Sequence, residues 1–533
     1  GIIDIHTHYD AEVLAAPSLS ESLRHGVTTI VMGSCSLSTV HVGANDAADL
    51  FGRVEAIPPE HVVRIVGEHK SWNSAREYAD ALESLPLGPN VTAFIGHSDM
   101  RTAVLGLDRA TRKNARPTGA EQARMEEMLT EALDAGFLGM SSQQLLFDKI
   151  AGDTCRSRTL PSTYAKGREL RRLKSLLRRS GRALQSGPDI SHPQNIVSQA
   201  FQSLGIRRPR LKTSLLAAAD MKSSRGAMWL TSTLSAIVNR LGGDFRFQHL
   251  PVPFEVYADG IDLVVFEEFG SGAAALHLRD ELERNELLHD EEYRRRFRKD
   301  YDNKYGPRAW HRDFFDAQIV SCPDESLVGK SFGQVGVARG GVHPVDAFLD
   351  LVLEYGTAIP WRTTISNHRP HMLRRLAVQD GLQMGFSDAG AHLRNMAFYN
   401  CGLRLLRHVR DAENAGKPFM SIERAVHRLT GELADWYGLD TGHLSVGDWA
   451  DLVVVDPQRL DGSLDSYHEA DIPAYGGLSR MVNRNDQTVK AVFVSGREVF
   501  RDGKPTEIVG RERTGGFLRA DWRPRNVPRP VPA

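Results

Sequence analysis

Eight short runs of apolar, mostly β-branched residues recur along the chain, separated by longer amphipathic stretches; no other feature limits the fold so strongly. The runs are Ile2–His8, Thr28–Cys35, Val91–His97, Phe137–Ser142, Arg182–Gly187, Lys212–Ala218, Phe245–Pro251 and Leu382–Asp388. The stretches between them read as helices. Gly119–Ala135, for example, puts Met125, Met128, Leu129 and Leu133 on one face. Strands alternating with helices form a parallel sheet, and eight of them predict a (β/α)₈ barrel with its chemistry at the C-terminal strand ends. Polar residues fall at several of those ends: His6, His8, Cys35, His97, Ser141, Ser142, His249 and Asp388. Any strand must end in something polar, so it is the density of His, Cys and Asp that carries weight.

Two regions depart from a plain barrel. Ile261–Arg362 is a long insertion rich in charges and aromatics within an expected catalytic domain at 1–441, and insertions of this length often shape substrate entry. Beyond Gly442, the runs LSVGDWADLVVVD and TVKAVFVSGREVF read as strands of a small β-domain over 442–512. A Pro-rich tail at 513–533 is expected to be extended or disordered.

Composition narrows the function classes. The 533 residues carry 66 basic and 67 acidic side chains, a near balance that gives no reason to expect a nucleic-acid or membrane partner. Basic runs such as Arg168–Arg182 and Arg294–Lys299 have helical spacing and read as solvated helix faces. Four scattered cysteines argue against a disulfide framework and fit a reducing compartment. No signal peptide or membrane-length apolar stretch is present, so cytoplasm is the default expectation. The chain opens on Gly1 within a strand, which leads us to expect that a natural N-terminus, with any targeting signal, precedes it.

In Asp4-Ile5-His6-Thr7-His8, strand alternation points both imidazoles to one side, where they can share one metal ion. A lone His-x-His pair also arises by chance among 20 histidines; its position at the end of an apolar run is what singles it out. In Gly385-Phe386-Ser387-Asp388-Ala389-Gly390-Ala391-His392, Asp388 closes the last strand. A carboxylate there can bind metal through one oxygen and exchange a proton with water through the other. Read alone, the same residues are a turn with an Asx cap.

The segments GIIDIHTHYDA, HGVTTIVMGSC, GFLGMSS, GFSDAGAH and LSVGDWADLVVVD, in this order, resemble the N-acyl-D-amino-acid deacylase (D-aminoacylase) branch of the amidohydrolase superfamily, over nearly the whole chain. The resemblance implies a barrel with a small β-sandwich and a zinc-dependent hydrolase that releases a D-amino acid from an N-acyl small-molecule substrate. It places a zinc-binding thiolate at Cys35, otherwise a small buried core residue. It also implies one further sheet-forming segment before the first barrel strand, so the sequence reads as a fragment whose C-terminal strands lack partners. The family's histidines on strands five and six are absent, their places taken by Ala183–Gly187 and Thr213–Ala217, with Gln185, Ser186 and Leu215. No Lys suited to carbamylation stands in Phe137–Ser142. One ion, held by His6, His8, Asp388 and Cys35, is therefore expected rather than two, with Asp388 as catalytic base and then acid. His97, His249 and His392 are candidates to face substrate or orient a ligand, with a hydrogen-bonded structural role the alternative for each. Arg369 and Arg394 are candidates for a substrate carboxylate. Rival readings are a cyclic amide hydrolase of the dihydroorotase or hydantoinase kind, and a catalytically silent barrel that binds a partner.

Overall fold

The computed structural model describes residues 1–189, 192–305 and 308–520. Its eight expected strands pair in parallel in chain order: Ile2–Asp4, Val27–Met32, Asn90–Gly96, Gly139–Gln143, Ala183–Gly187, Lys212–Leu215, Asp244–Gln248 and Leu382–Gln383. The ring closes through a break in the last strand. Leu382–Gln383 pairs with the seventh strand, while Phe386–Ala389 pairs with His6–Thr7, which continues the first. Between them Gly385 has φ +92°, and a Cβ there would lie 2.6 Å from the Ile3 carbonyl oxygen, so only glycine allows this close approach. The joint is sealed by Ile5 N–H donating to the Gly385 carbonyl (2.8 Å) and His8 N–H to the Ala389 carbonyl (2.8 Å).

Helices cover the outside as their periodicity requires. Gly119–Asp134 begins at a capping box, Thr118 accepting from Glu121 N–H and Glu121 from Thr118 N–H, and buries Met125, Met128, Leu129 and Leu133. The strands are buried on both faces, and this apolar core runs from Ile2 to Phe517.

The insertion has an apolar core of its own. An antiparallel pair, Phe254–Asp259 with Pro360–Ser366, frames it a few residues outside the 261–362 expected. Phe266, Phe297, Trp310, Phe314, Phe332 and Phe348 from the segment between the two strands pack with Trp361 of the second strand, all fully buried. The C-terminal strands form a four-stranded sheet with Leu452–Val455 on one edge and Val489–Val494 next to it. Ion pairs tie this region to the barrel: buried Arg480 with Glu12 at 2.9 Å, and exposed Arg484 with buried Glu21 at 2.9 Å. Of the expected tail, Phe517 bridges to Val91 on the third barrel strand, while 521–533 lie outside the described residues. All four cysteines are free and buried. Among the described residues, no helix is long and apolar enough to cross a membrane.

Candidate metal centre

His6 and His8 stand on consecutive inward positions of the first strand, their ring centroids 5.2 Å apart. Cys35 lies just beyond the second strand and Asp388 on the last, so barrel closure brings together groups hundreds of residues apart. Asp388 Oδ1 lies 3.5 Å from His6 Nε2 and 3.1 Å from His8 Nε2, and Cys35 Sγ lies 3.4 Å from His6 Nε2. Donors arranged tetrahedrally about one ion at zinc bond lengths sit about 3.3–3.6 Å apart, so these separations suit a shared cation. The ligating atoms of His6, His8 and Cys35 all fall within 4.8 Å of one another. Cys35, Asp388 and His392 hold left-handed backbone at φ 51°, 61° and 49°. Such conformations cost roughly 1–3 kcal/mol each and concentrate at functional sites.

The electrostatics also call for a cation. Burial pushes the carboxyls of Asp4, Asp10 and Asp148 up to about 7 and that of Glu55 to about 8. Burial lowers the His6 imidazole to about 4. At His8 burial is outweighed by the Glu55 and Asp388 carboxylates, which raise it to about 9. Burial likewise opposes ionisation of Asp388, but the His8 hydrogen bond and the neighbouring imidazoles hold its carboxyl well below the usual range. Burial, with the Glu55 and Asp388 carboxylates, keeps the Cys35 thiol protonated. So many buried acids around two imidazoles favour a positive charge among them, which would ionise the thiol and carboxyls together. Donor types and spacing both fit a divalent ion.

Three groups outside the expected ligand set hold these residues. Glu55 Oε1 lies 3.4 Å from His8 Nδ1, and its Oε2 lies 3.8 Å from His392 Nε2. Gln248 Oε1 is 2.6 Å from His6 Nδ1, and Gln185 Oε1 accepts from Cys35 N–H at 3.2 Å. Gln185, where the family resemblance led us to look for a histidine, is thus occupied with the Cys35 backbone. Leu215 packs in the apolar core, while its neighbour Ser214 faces the barrel interior and donates to Gln383 Oε1 at 2.7 Å. No sequence motif marks Glu55, which follows the helix Ala44–Val54.

The remaining candidates lie in other surroundings. His392 Nε2 is 4.0 Å from Asp388 Oδ2, at the rim of the cluster. His97 is buried between Ser162 Oγ (3.0 Å) and Glu169 Oε1 (3.1 Å) and touches none of the cluster. His249 points the opposite way from Gln248 and bonds the Ala218 carbonyl at 2.8 Å. Arg369 grips buried Asp220, with Nε 2.7 Å from Oδ2, and Arg394 pairs with Asp259 at 3.0 Å and Glu469 at 3.1 Å, so both guanidinia already have carboxylate partners. Arg394 also lines a cavity of about 320 Å³ between barrel and insertion, together with Ala56, Asp262, Glu267 and Asn395. The cavity adjoins the segments that carry Glu55 and His392.

No family model matches the chain. Over 509 residues, 95% of this chain and 83% of the other, it is 57% identical to an uncharacterized protein of Mycobacterium tuberculosis. Over 146 residues, 27% of this chain and 26% of the other, it is 34% identical to an N-acyl-D-aspartate deacylase of Alcaligenes xylosoxydans xylosoxydans. Among solved structures, the N-acyl-D-glutamate deacylase of Bordetella bronchiseptica, complexed with zinc and a phosphonate mimic of the tetrahedral intermediate, superposes with a TM-score of 0.59 at 22% identity, covering 98% of this chain and 88% of that one. That likeness establishes an amidohydrolase-type barrel fold.

Proposed function

We propose, for a chain that belongs to one family with the uncharacterized Mycobacterium tuberculosis protein, that it is a metal-dependent hydrolase of non-peptide C–N amide bonds, acting as an N-acyl amino acid deacylase. The observation that carries this reading is the clustering of the His6, His8 and Cys35 ligating atoms within 4.8 Å of one another, with Asp388 Oδ1 at 3.5 and 3.1 Å from the two imidazoles, a donor set that suits one divalent ion, zinc by donor type. Partial identity to an N-acyl-D-aspartate deacylase supports the deacylase class. One ion is favoured over two because the Gln185 side chain is committed to the Cys35 backbone and Leu215 to the core.

A divalent ion held there supplies Lewis-acid polarisation of an amide carbonyl and brings the pKa of a water to about 7. His6 and His8 would hold it through Nε2. Gln248 fixes the His6 ring, and Glu55, facing His8 Nδ1, keeps the opposite nitrogen turned toward Asp388. Asp388 Oδ1 lies against both imidazoles, which leaves Oδ2 to accept the proton of the attacking water and deliver it to the departing nitrogen. In that exchange water's oxygen bonds the acyl carbon, the C–N bond breaks, and the products are a carboxylate and an amine. The cavity lined by Ala56 and Arg394, close in sequence to Glu55 and His392, is the candidate route for substrate.

The test is metal analysis of the purified protein together with hydrolysis of a panel of N-acyl-D- and N-acyl-L-amino acids and hydantoins. About one equivalent of metal and N-acyl turnover that is lost in Asp388→Asn are the expected results. Turnover of hydantoins alone would move the reaction to cyclic amides; protein that binds no metal would overturn the hydrolase reading.

A further inference from the structure

The whole chain is nearly neutral, yet residues 166–246 hold sixteen Lys and Arg against four Asp and Glu. The fold exposes one sign of that charge. Glu169, Asp189 and Asp220 are buried and Asp244 half-buried, whereas Arg179, Arg207, Arg208, Arg210 and Arg240 are exposed. Arg207, Arg208, Arg210 and Arg240 have no carboxylate partner among the described residues. They gather because the outer helices Pro193–Gln202 and Ala227–Arg240 pack together and the helix Gly167–Ser180 reaches the segment between them. Lys174 Nζ donates to Gln202 Oε1 at 2.9 Å and Arg178 Nη1 to the Pro209 carbonyl at 2.8 Å, which fastens the first helix to the segment after the second. Burial, with a lesser push from the neighbouring Arg208, holds the Arg178 guanidinium down at about 10.

Apolar side chains interleave with these cations. Phe201 is 44% exposed, Ile206 70%, Ile237 47% and Leu241 60%. The segments 203–211 and 241–243 directly precede the sixth and seventh strands, so this surface lies at the N-terminal end of the barrel, opposite the metal centre.

We propose that this end of the barrel docks on an anionic phospholipid surface, with Phe201, Ile206, Ile237 and Leu241 entering the interfacial layer and Arg207, Arg208, Arg210 and Arg240 meeting lipid phosphates. Charge complementarity selects this occupant. A second copy would bring like charges face to face. A nucleic acid would satisfy the cations but give exposed Ile and Leu no apolar layer to enter. Apolar side chains within a basic rim are the composition of interfacial membrane contacts, and each Lys or Arg adds to attraction by the anionic leaflet. Whole-chain neutrality concealed this because the balancing acids sit elsewhere in the fold.

The experiment is co-sedimentation of the full chain with phosphatidylcholine vesicles, with and without about one third phosphatidylserine, at low and high salt. At least about tenfold stronger partition onto the phosphatidylserine vesicles is expected, weakened by salt. A comparable loss is expected both in Arg207→Glu/Arg208→Glu/Arg210→Glu and in Ile206→Asp/Leu241→Asp, each checked for a wild-type melting curve. Equal binding to both vesicle types, or partition that neither variant lowers, overturns the proposal. So does partition lost only on charge reversal, which is plain polyanion attraction. A solution dimer that Ile206→Asp/Leu241→Asp splits would assign the face to a second copy, and binding to an acidic protein without vesicle binding would assign it to a protein partner.

Discussion

Glu55→Gln tests how the metal centre is held, because it removes one charge and leaves the shape of the side chain. Glu55 Oε1 stands 3.4 Å from His8 Nδ1, both groups fully buried beneath the barrel mouth. A metal-binding His8 is a neutral imidazole, so the effect of Glu55 lies in orienting its Nδ1–H and in its field at the ion. Carboxylates that orient a metal-binding imidazole typically contribute ten- to hundredfold in affinity, about 1.4–2.7 kcal/mol. Zinc affinity measured by competition with a chromogenic chelator near pH 7.5 is therefore expected to fall ten- to hundredfold in Glu55→Gln. Stoichiometry should stay at one and the melting curve of the metal-free protein should change little. Affinity within twofold of wild type would refute the argument, because the carboxylate would then neither orient His8 nor supply field at the ion.

Other regions give further tests. Gly390 has φ +90°, and a Cβ there would sit 2.8 Å from the His8 carbonyl group, so Gly390→Ala should cost at least about 1–3 kcal/mol and reduce metal binding, read by thermal melts and metal analysis. Trp361 is fully buried among the insertion's aromatic rings and donates to the Gly260 carbonyl at 2.7 Å. Trp361→Ala should cost about 3–5 kcal/mol and collapse the near-ultraviolet circular dichroism of the insertion. Burial raises the carboxyl of Glu268 to about 7, against hydrogen bonds from Ala309 and Trp310 N–H and the nearby Arg312 and Arg308. The folded state thus holds this proton more tightly than the unfolded chain. Its contribution is fully present below about 4.5, the ordinary Glu value, and is lost as pH rises through 7. Glu268→Gln should leave the melting temperature unchanged near pH 4.5 and raise it near pH 8; an equal shift at both would contradict the assignment.

The order of strands and helices was legible in the chain because it rests on local periodicity, which needs no knowledge of distant residues. Alternation likewise puts His6 and His8 on one side of a strand, and Asp388 at the end of another. Alternation shifted by a single residue explains why Gln248 and not His249 reaches His6: adjacent strand residues face opposite sides, and a histidine draws the eye where a glutamine does not. Glu55 was illegible since its place depends on how the helix Ala44–Val54 docks against the barrel mouth, a packing outcome without a motif. Arg369 and Arg394 read as free cations until Asp220 and Asp259, well over a hundred residues away in sequence, were brought against them. The basic run Arg168–Arg182 read as a helix face, but no local pattern shows that it meets Arg207, Arg208, Arg210 and Arg240 from later segments while Glu169 turns inward. Backbone periodicity therefore determined the elements and which way their side chains point. Only tertiary closure decided which of those side chains meet, because contact between residues far apart in sequence is set by the packing of whole elements and not by any local pattern.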